Sequence, residues 1–272
     1  MSQLAHMAVE GSASRIPYQA CPLCKSGKLA VVKSADCTKY PNFNPALGGT
    51  MTWMQCAGCT HVFTQGYFTP EAFALLVSKA HEGQIVGANV EATRKTWATI
   101  VEKISSFRSS ADGCWLDVGF GDGSLLFTAA EWGYTVVGLD VRTDNVAAMK
   151  SIGFEAHATD LTRFSDFGRF DVLSFADALE HMPFPTEALI HAHKLLKADG
   201  VLFLSMPNMD TIVWRAWDQT NVNPYWIEME HYHNFSRKRL YALCAEHGFV
   251  PVHYDVSQRY RSCMEVIFRK RS

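Results

Sequence analysis

The 272-residue chain has no large excess of either charge, because its 25 lysines and arginines nearly balance its 27 aspartates and glutamates. A near-neutral chain gives no electrostatic reason to expect a nucleic-acid partner or an anionic membrane surface. No apolar run approaches the ~18 residues of a membrane span. The first residues also lack a basic stretch followed by an apolar core, so we expect no signal peptide. These absences predict a cytoplasmic globular protein without a nucleic-acid or membrane partner.

The glycine-rich stretch CWLDVGFGDG, at positions 114–123, lacks the features of a phosphate-binding loop. A dinucleotide fingerprint reads Gly-x-Gly-x-x-Gly, whereas the spacing here is Asp-x-Gly-x-Gly-x-Gly, and no basic residue lies in the loop. An apolar strand precedes this turn and a helical pattern follows it. Asp140 closes the next apolar run, and an acid at that place suits a ribose diol. The pattern therefore favours a ligand with an adenosine and no phosphates, and disfavours a nicotinamide-dependent oxidoreductase.

Apolar runs alternate with helical patterns from about residue 109 onward, and two closing strands follow, the last of them predicted to be antiparallel. Such alternation is typical of an α/β fold, here a Rossmann-like, mostly parallel sheet with helices on both faces. Ligands of these sheets lie at the carboxyl ends of the strands. Asp117, Asp140, Asp160 and residues 176–181 fall at those ends.

In combination, the glycine turn, the acids at the strand ends, LEHM at 179–182 and KADG at 197–200 resemble the class I S-adenosylmethionine-dependent methyltransferases. Phe120 and Asp122 are mild departures from the commoner residues of that family. The resemblance implies S-adenosyl-L-methionine as cofactor and a small-molecule acceptor. The implied cofactor-binding residues are Asp117, Gly119, Gly121, Gly123, Asp140, Val141, Asp160 and Leu161, with Asp160 on the adenine side.

The acceptor is not identified by the sequence. We expect O-methylation of a small hydroxylated metabolite or sugar, with C-methylation of a keto-deoxysugar as the alternative. A methyltransferase-like core that binds its cofactor or zinc without catalysis is a third hypothesis.

Four of the eight cysteines form two Cys-x-x-Cys pairs, Cys21 with Cys24 and Cys56 with Cys59. Two such pairs complete a tetrahedral Zn²⁺ site, and four thiolates leave no position open for catalysis. The sequence therefore predicts a structural zinc in a small ribbon-like N-terminal module, with Cys37 and His61 as less favoured substitute ligands. Free or redox-active cysteines are the alternative. A cysteine ribbon ahead of this core also resembles, more loosely, a group of bacterial enzymes that includes deoxysugar C-methyltransferases.

Methyl transfer to an oxygen or a carbon needs a base where the acceptor is not already nucleophilic, and a pKa near neutrality favours histidine. His181 directly follows the fourth predicted strand. His231 and His233 end the aromatic segment 209–235, which we interpret as a wall for the acceptor. A short helix that packs its tryptophans on the core is the alternative for that segment. We predict His181 as the first candidate base, followed by His233 and His231.

The pattern divides the chain into four intervals. Residues 1–15 are expected to be disordered, 16–68 to form the zinc module, 69–108 to form a helical cover and 109–272 to form the methyltransferase domain. The loop at 81–89 is a candidate lid, or else a plain connector.

Overall fold

The computed structural model describes residues 14–80, 84–108 and 112–271. The described strands are β1 (Arg15–Pro17), β2 (Leu29–Asp36), β3 (Thr50–Cys56), β4 (Val62–Thr64), β5 (Gly66–Phe68), β6 (Gly113–Val118), β7 (Tyr134–Asp140), β8 (Glu155–Ala158), β9 (Phe170–Ala176), β10 (Leu196–Pro207), β11 (His233–Asn234), β12 (Phe249–Val256) and β13 (Cys263–Lys270). The described helices are α1 (Pro70–Ala80), α2 (Val90–Ser105), α3 (Ser124–Glu131), α4 (Thr143–Ser151), α5 (Pro185–Leu195), α6 (Ile212–Gln219) and α7 (Arg237–Glu246). Within these ranges, no helix is both long enough and apolar enough to cross a bilayer.

The chain forms two compact units. The first comprises Met1–His81 and Pro224–His233, and the second comprises Glu82–Asn223 and Asn234–Ser272. The structure thus groups helix α2 with the second unit and residues 224–233 with the first. The predicted intervals put α2 in a separate helical cover and residues 224–233 in the methyltransferase domain. The predicted break at residue 108/109 adjoins residues outside the described ranges, and the exact intervals stay a prediction.

The first unit is built on two small antiparallel sheets. Strand β1 pairs with β5, and a second sheet has the order β11-β4-β3-β2, to which this unit contributes His233 of β11. Side chains along β3 alternate between the two faces, so that Met51 and Trp53 are buried. Strands β3 and β4 pair with each other on either side of the turn that carries the second cysteine pair.

The start of the first unit corrects the expectation of disorder over residues 1–15. Residues 1–13 lie outside the described residues, but Arg15 belongs to β1 and pairs with Phe68 of β5. Its Nη1 donates to the Gly66 carbonyl at 2.9 Å, and its guanidinium carbon lies 3.8 Å from the centroid of the Phe68 ring. These contacts fix the position of Arg15, for which the small and polar composition of residues 1–15 had predicted disorder.

Segment 224–233 is joined to the first unit by hydrogen bonds between positions far apart in the sequence. The indole Nε1 of Trp53 donates to the Trp226 carbonyl at 3.0 Å, and the two rings pack edge to face. The backbone N–H of Thr64 donates to the Tyr232 carbonyl at 2.9 Å. Ten of the 27 residues of the predicted acceptor wall therefore belong to this unit.

The second unit has one seven-stranded sheet of order β12-β13-β10-β9-β6-β7-β8. Strands β8, β7, β6, β9 and β10 run parallel, and β13 runs antiparallel to both β10 and β12. This arrangement confirms the predicted Rossmann-like α/β fold with an antiparallel closing strand. The carboxyl ends of β7, β6 and β9 therefore lie side by side at one edge, where ligands of such sheets bind.

Helix α2 buries the side chains of Trp97, Ile100, Val101 and Ile104. They pack into the apolar cluster that also contains Trp115 of β6. Strand β10 begins at Leu196, and its pairing with β9 is irregular until Val201. The KADG stretch at 197–200 lies in this irregular part of the strand.

Candidate functional site

The glycine turn after β6 adopts a backbone that side chains seldom allow. Gly119, Gly121 and Gly123 have φ values of 75°, 60° and 80°, in the left-handed region that favours glycine. A Cβ added to Gly119 would lie 3.3 Å from the Cβ of Ala178. The Gly119 N–H donates to the Leu139 carbonyl of β7 at 2.7 Å. The turn therefore places bare backbone between the ends of β6, β7 and β9, as the sequence predicted.

Asp117 lies beneath this turn with 2% of its surface exposed. The Ser174 hydroxyl of β9 donates to Asp117 Oδ1 at 2.6 Å and in turn accepts from the Trp115 indole at 2.8 Å. Burial raises the pKa of Asp117 to about 7, although the bond from Ser174 and the charge of Arg259 oppose that rise. A carboxyl group with a pKa near neutrality responds strongly to a charge placed beside it.

Asp140 ends β7, and its carboxylate accepts hydrogen bonds from Arg142 and from Gly121. The backbone N–H and Nε of Arg142 donate to Asp140 Oδ1 at 2.9 and 3.0 Å, and Arg142 Nη2 donates to Oδ2 at 2.7 Å. The Gly121 N–H also donates to Oδ2, at 3.3 Å. Asp140 thus faces the glycine turn, as predicted, with Arg142 covering its oxygens. Val141, predicted to help bind the cofactor, is 51% exposed beside it.

Asp160 follows β8 and caps the short 3-10 helix Leu161–Arg163. Its Oδ1 accepts from the backbone N–H of Thr162 at 2.8 Å and from the Thr162 hydroxyl at 2.5 Å. Leu161 is buried. The carboxylate therefore has a local structural task, and its predicted place on the adenine side stays a prediction.

The described part of the predicted lid, residues 84–89, packs on the glycine turn. Gly87 donates its N–H to the Asp122 carbonyl at 2.9 Å. The Asn145 amide of α4 donates to the carbonyls of both Gln84 and Gly121, at 2.8 and 2.7 Å. These contacts fit a cover over the turn, which remains a proposal.

Two groups pair at this edge. Asp177 lies within residues 176–181, which the sequence placed at a strand end, whereas Arg259 was not predicted. Asp177, directly after β9, has φ 56°, although it is not a glycine. Its Oδ1 accepts from the Ser205 hydroxyl of β10 at 2.8 Å, and Arg259 Nη1 lies 2.7 Å from its Oδ2. Arg259 comes from the turn between β12 and β13, and no local motif marks it, so only the fold could identify it.

The three candidate bases fall in different units. His181 ends the short 3-10 helix Leu179–His181, at the carboxyl edge of the second unit's sheet. His231 and His233 belong to the first unit. His233 is 0% exposed, and its Nδ1 lies 3.0 Å from Nε2 of the buried His61. His231 Nδ1 lies 3.3 Å from Glu228 Oε2. Only His181 thus shares a unit with the glycine turn.

The four predicted zinc ligands converge in the first unit. One ligand atom from each of Cys21, Cys24, Cys56 and Cys59 lies within 4.8 Å of all the others. The Cys21 and Cys59 sulfurs are 3.6 Å apart, and those of Cys24 and Cys56 are 3.5 Å apart. A tetrahedron with Zn–S bonds of ~2.3 Å has sulfurs about 3.8 Å apart. The cluster therefore fits one zinc ion.

The turns that carry these sulfurs are alike. Lys25 and Thr60, each directly after the second cysteine of a pair, both have φ 62°. Burial opposes the charged form, but hydrogen bonds from the N–H groups of Cys59 and Gly58 and from the Cys24 thiol lower the pKa of Cys56 to about 7. Cys37 bonds instead to the Ala35 carbonyl, and neither Cys37 nor His61 belongs to the cluster that the described residues form.

Comparison with known proteins identifies a family. The family described as "Methyltransferase domain" matches residues 90–254. Among curated relatives, the ubiquinone biosynthesis O-methyltransferase of Haemophilus ducreyi is 35% identical over 105 residues, which cover 34% of this chain and 44% of that protein. The mitochondrial enzyme of the same name from Saccharomyces cerevisiae is 34% identical over 114 residues, covering 36% of this chain and 35% of that protein. The matched stretch thus spans less than half the length of these relatives.

Solved structures share the fold. The 1,6-didemethyltoxoflavin-N1-methyltransferase of Burkholderia thailandensis, solved with bound 1,6-didemethyltoxoflavin and S-adenosylhomocysteine, has a TM-score of 0.58 and 17% identity, covering 80% of this chain and 99% of that one. The magnesium protoporphyrin IX methyltransferase of Synechocystis, with bound S-adenosylhomocysteine, has a TM-score of 0.53 and 18% identity, covering 65% of this chain and 83% of that one. At such identities the likeness concerns the fold alone.

Proposed function

Since this chain belongs to the methyltransferase-domain family, as a S-adenosylmethionine-dependent enzyme, we propose that it methylates a hydroxyl oxygen of a small-molecule acceptor. The observation that carries the proposal is the edge of the parallel sheet, where the glycine turn lies between the carboxylates of Asp117 and Asp140 and holds no basic side chain. The names of the curated relatives, which are O-methyltransferases, support oxygen as the accepting atom.

The residues at this edge fit the cofactor. The backbone of Gly119 and Gly121 leaves room for a close approach, and Asp140 offers a carboxylate to the ribose hydroxyls. Arg142 occupies both Asp140 oxygens, so the Arg142 side chain must withdraw for these bonds to form. Asp160 and Leu161 are proposed for the adenine side, with Val141 beside the ribose. When bound, S-adenosylmethionine supplies a methyl group on a positively charged sulfur.

We propose His181 as the base that takes the acceptor's proton. It follows β9 at the same edge as the glycine turn. Removal of a proton by a positioned side chain typically contributes about 10²–10⁴-fold in rate. His233 fits this role less well because it is fully buried against His61. His231, with Glu228 beside it, stays a second candidate.

The cysteine cluster is proposed to bind one structural Zn²⁺ in the ribbon-like first unit. Its four sulfurs complete the coordination of the ion, so no position is left for a substrate. The same cluster supports a second candidate reaction, C-methylation of a keto-deoxysugar, through the resemblance of its arrangement to that group of enzymes. A cytoplasmic location, where thiols stay reduced, agrees with this proposal.

The two reactions are separated by the product. Purified enzyme is incubated with S-adenosylmethionine carrying a ¹³C-methyl group and two acceptor sets, phenolic or sugar hydroxyl compounds and nucleotide-linked keto-deoxysugars. A product whose labelled carbon is bonded to oxygen, identified by NMR, supports O-methylation. A carbon-bonded label supports the alternative. Binding of S-adenosylhomocysteine without turnover on either set would contradict both acceptor proposals.

A further inference from the structure

Arg259 is the one arginine among the described residues that the structure places against Asp177. It lies in the turn between β12 and β13, and its Nη2 donates to the Ser205 hydroxyl of β10 at 3.0 Å. Its guanidinium carbon lies 4.2 Å from the centroid of the Trp97 ring of α2. The side chain is 14% exposed. An arginine from the far end of the chain is therefore fixed, by three different elements, over the carboxyl edge of the sheet.

The strand order gives the distance from this arginine to the ribose acid. Asp140 ends β7, Asp117 lies near the end of β6, and Asp177 follows β9, the next strand in the order β7-β6-β9-β10. Adjacent strands are about 4.8 Å apart, so β7 and β9 are separated by roughly 10 Å. If the ribose of an extended nucleoside thioether that carries an amino acid binds at Asp140, the amino-acid end of that molecule reaches β6 and β9.

The charges around Arg259 match such an end. Asp177 is its direct ion-pair partner. Burial raises the pKa of the Asp117 and Glu265 carboxyls, and the positive charge of Arg259 opposes that rise. Lys103 Nζ, 4.0 Å from Glu265, is the other cation of this group. Arg259 Nε is buried with no hydrogen-bond partner among the described residues. A guanidinium has five N–H donors and suits a bidentate carboxylate.

We propose that Arg259 binds the carboxylate of the cofactor's amino-acid end, while Asp117 and Asp177 face its ammonium group. This inference rests on the proposed placement of the ribose at Asp140. It adds to the cofactor site a residue outside every motif of the sequence, contributed by the turn between the last two strands.

Calorimetry with two ligands tests the proposal. One is S-adenosylhomocysteine, and the other is its decarboxylated analogue, 5′-deoxy-5′-(3-aminopropylthio)adenosine, which keeps the ammonium. Arg259→Gln is expected to weaken S-adenosylhomocysteine about tenfold or more, as for the loss of a charge-assisted contact. The affinity of the analogue should change less than threefold. Arg259→Lys, which keeps the charge and loses the fork, should fall between wild type and Arg259→Gln.

Equal weakening of both ligands by Arg259→Gln would overturn the proposal, since the arginine would then act only through Asp177 or the fold. Unchanged affinity for S-adenosylhomocysteine would overturn it as well. Arg239→Gln, which breaks an ion pair with Glu246 on α7, is the control and should alter neither affinity. If Arg259→Gln does not fold, the Arg259→Lys variant and the two ligands give the same comparison. Asp140→Ala weakens both ligands if the ribose placement is right, so its failure is distinguishable from that of Arg259.

Discussion

The two units are stabilised in different ways. The second unit is formed largely by consecutive strands and helices, and helices α2 and α3 pack with its parallel strands in one apolar core. The first unit has only short antiparallel sheets, and it recruits residues 224–233 from a distant part of the chain. It contains packed aromatic rings, a buried histidine pair and four convergent cysteines, of which only Cys21 and Cys56 are buried. In small metal-binding modules, binding of the ion is coupled to folding.

The division into two units means that the cofactor site and the metal cluster can be perturbed separately. Every predicted cofactor-binding residue belongs to the second unit, and all four cysteines belong to the first. Metal loss is therefore expected to act on the first unit, and substitutions at the sheet edge on ligand affinity.

Removing a zinc ligand is expected to have the largest effect. Cys56→Ser should abolish binding of the single zinc ion and unfold the first unit, because metal binding in such modules is coupled to folding. Elemental analysis gives the zinc content, and limited proteolysis should show early cleavage within residues 14–80. The affinity of the second unit for S-adenosylhomocysteine should change less than about threefold, as expected of a separate domain.

Cys37→Ser is the matched control for this prediction. Cys37 is buried in the same unit but lies outside the cluster, so the variant should keep its zinc. Freshly purified wild-type protein without zinc, or with the four cysteines in disulfides, would contradict the metal assignment. Equal protease resistance of Cys56→Ser and wild type would contradict the coupling to folding.

The next largest effect is expected at His181. His181→Ala should reduce turnover by about 10²–10⁴-fold, the usual range for loss of a general base. The affinity of the variant for S-adenosylhomocysteine should equal that of the wild type, because His181 is proposed to take the acceptor's proton and not to bind the cofactor. Steady-state kinetics and calorimetry on the same preparation measure both quantities.

His253→Ala, on the edge strand β12, is the control and should keep wild-type turnover. His233→Ala is expected to lower the melting temperature of the first unit, since it removes the buried contact with His61. If His181→Ala retains near-wild-type turnover, the acceptor's proton leaves by another route.

What the sequence could predict follows the same division between the units. Repeating strand and helix patterns identified the parallel sheet, because each element of the second unit has a local signature. Adjacent carboxyl ends then brought Asp117 and Asp140 to one edge, which the structure confirms. Pairs such as Trp53 with Trp226 depend on chain segments more than 150 residues apart, and no periodicity reveals them.

The same limit explains what was missed at the candidate site. The left-handed backbone of Asp177 and its pairing with Arg259 arise from tertiary packing, which overrides the usual preference for glycine at such an angle. The doubled Cys-x-x-Cys pattern, by contrast, identified all four members of its cluster, because the spacing itself imposes the geometry.

A smaller effect is expected at Asp140. Asp140→Ala should weaken S-adenosylhomocysteine by at least tenfold, since bonds to a charged group contribute roughly 1.5–3 kcal/mol. Arg142→Gln tests whether the arginine competes for the same oxygens, and it should leave affinity unchanged or raise it a few-fold. Calorimetry measures both. Unchanged affinity in Asp140→Ala would remove Asp140 from the site, and a large loss in Arg142→Gln would show that the arginine supports binding.

The last expected effect concerns Asp117 and the pH dependence of stability. Burial raises its pKa to about 7, so the folded protein retains a proton there that the unfolded chain has already released above pH ~4. The folded state binds more protons between these values, and Asp117 therefore makes the second unit less stable as the pH rises from 5 to 7. The slope is at most about 1.4 kcal/mol per pH unit. Asp117→Asn cannot ionise and should flatten this dependence in urea unfolding monitored at pH 5, 6 and 7.

A cofactor ammonium beside the carboxylate would favour its charged form, so S-adenosylhomocysteine binding near pH 7 should release a proton from the wild type and not from Asp117→Asn. Calorimetry in two buffers of different ionisation enthalpy measures that proton, and equal release by both proteins would assign it to another group.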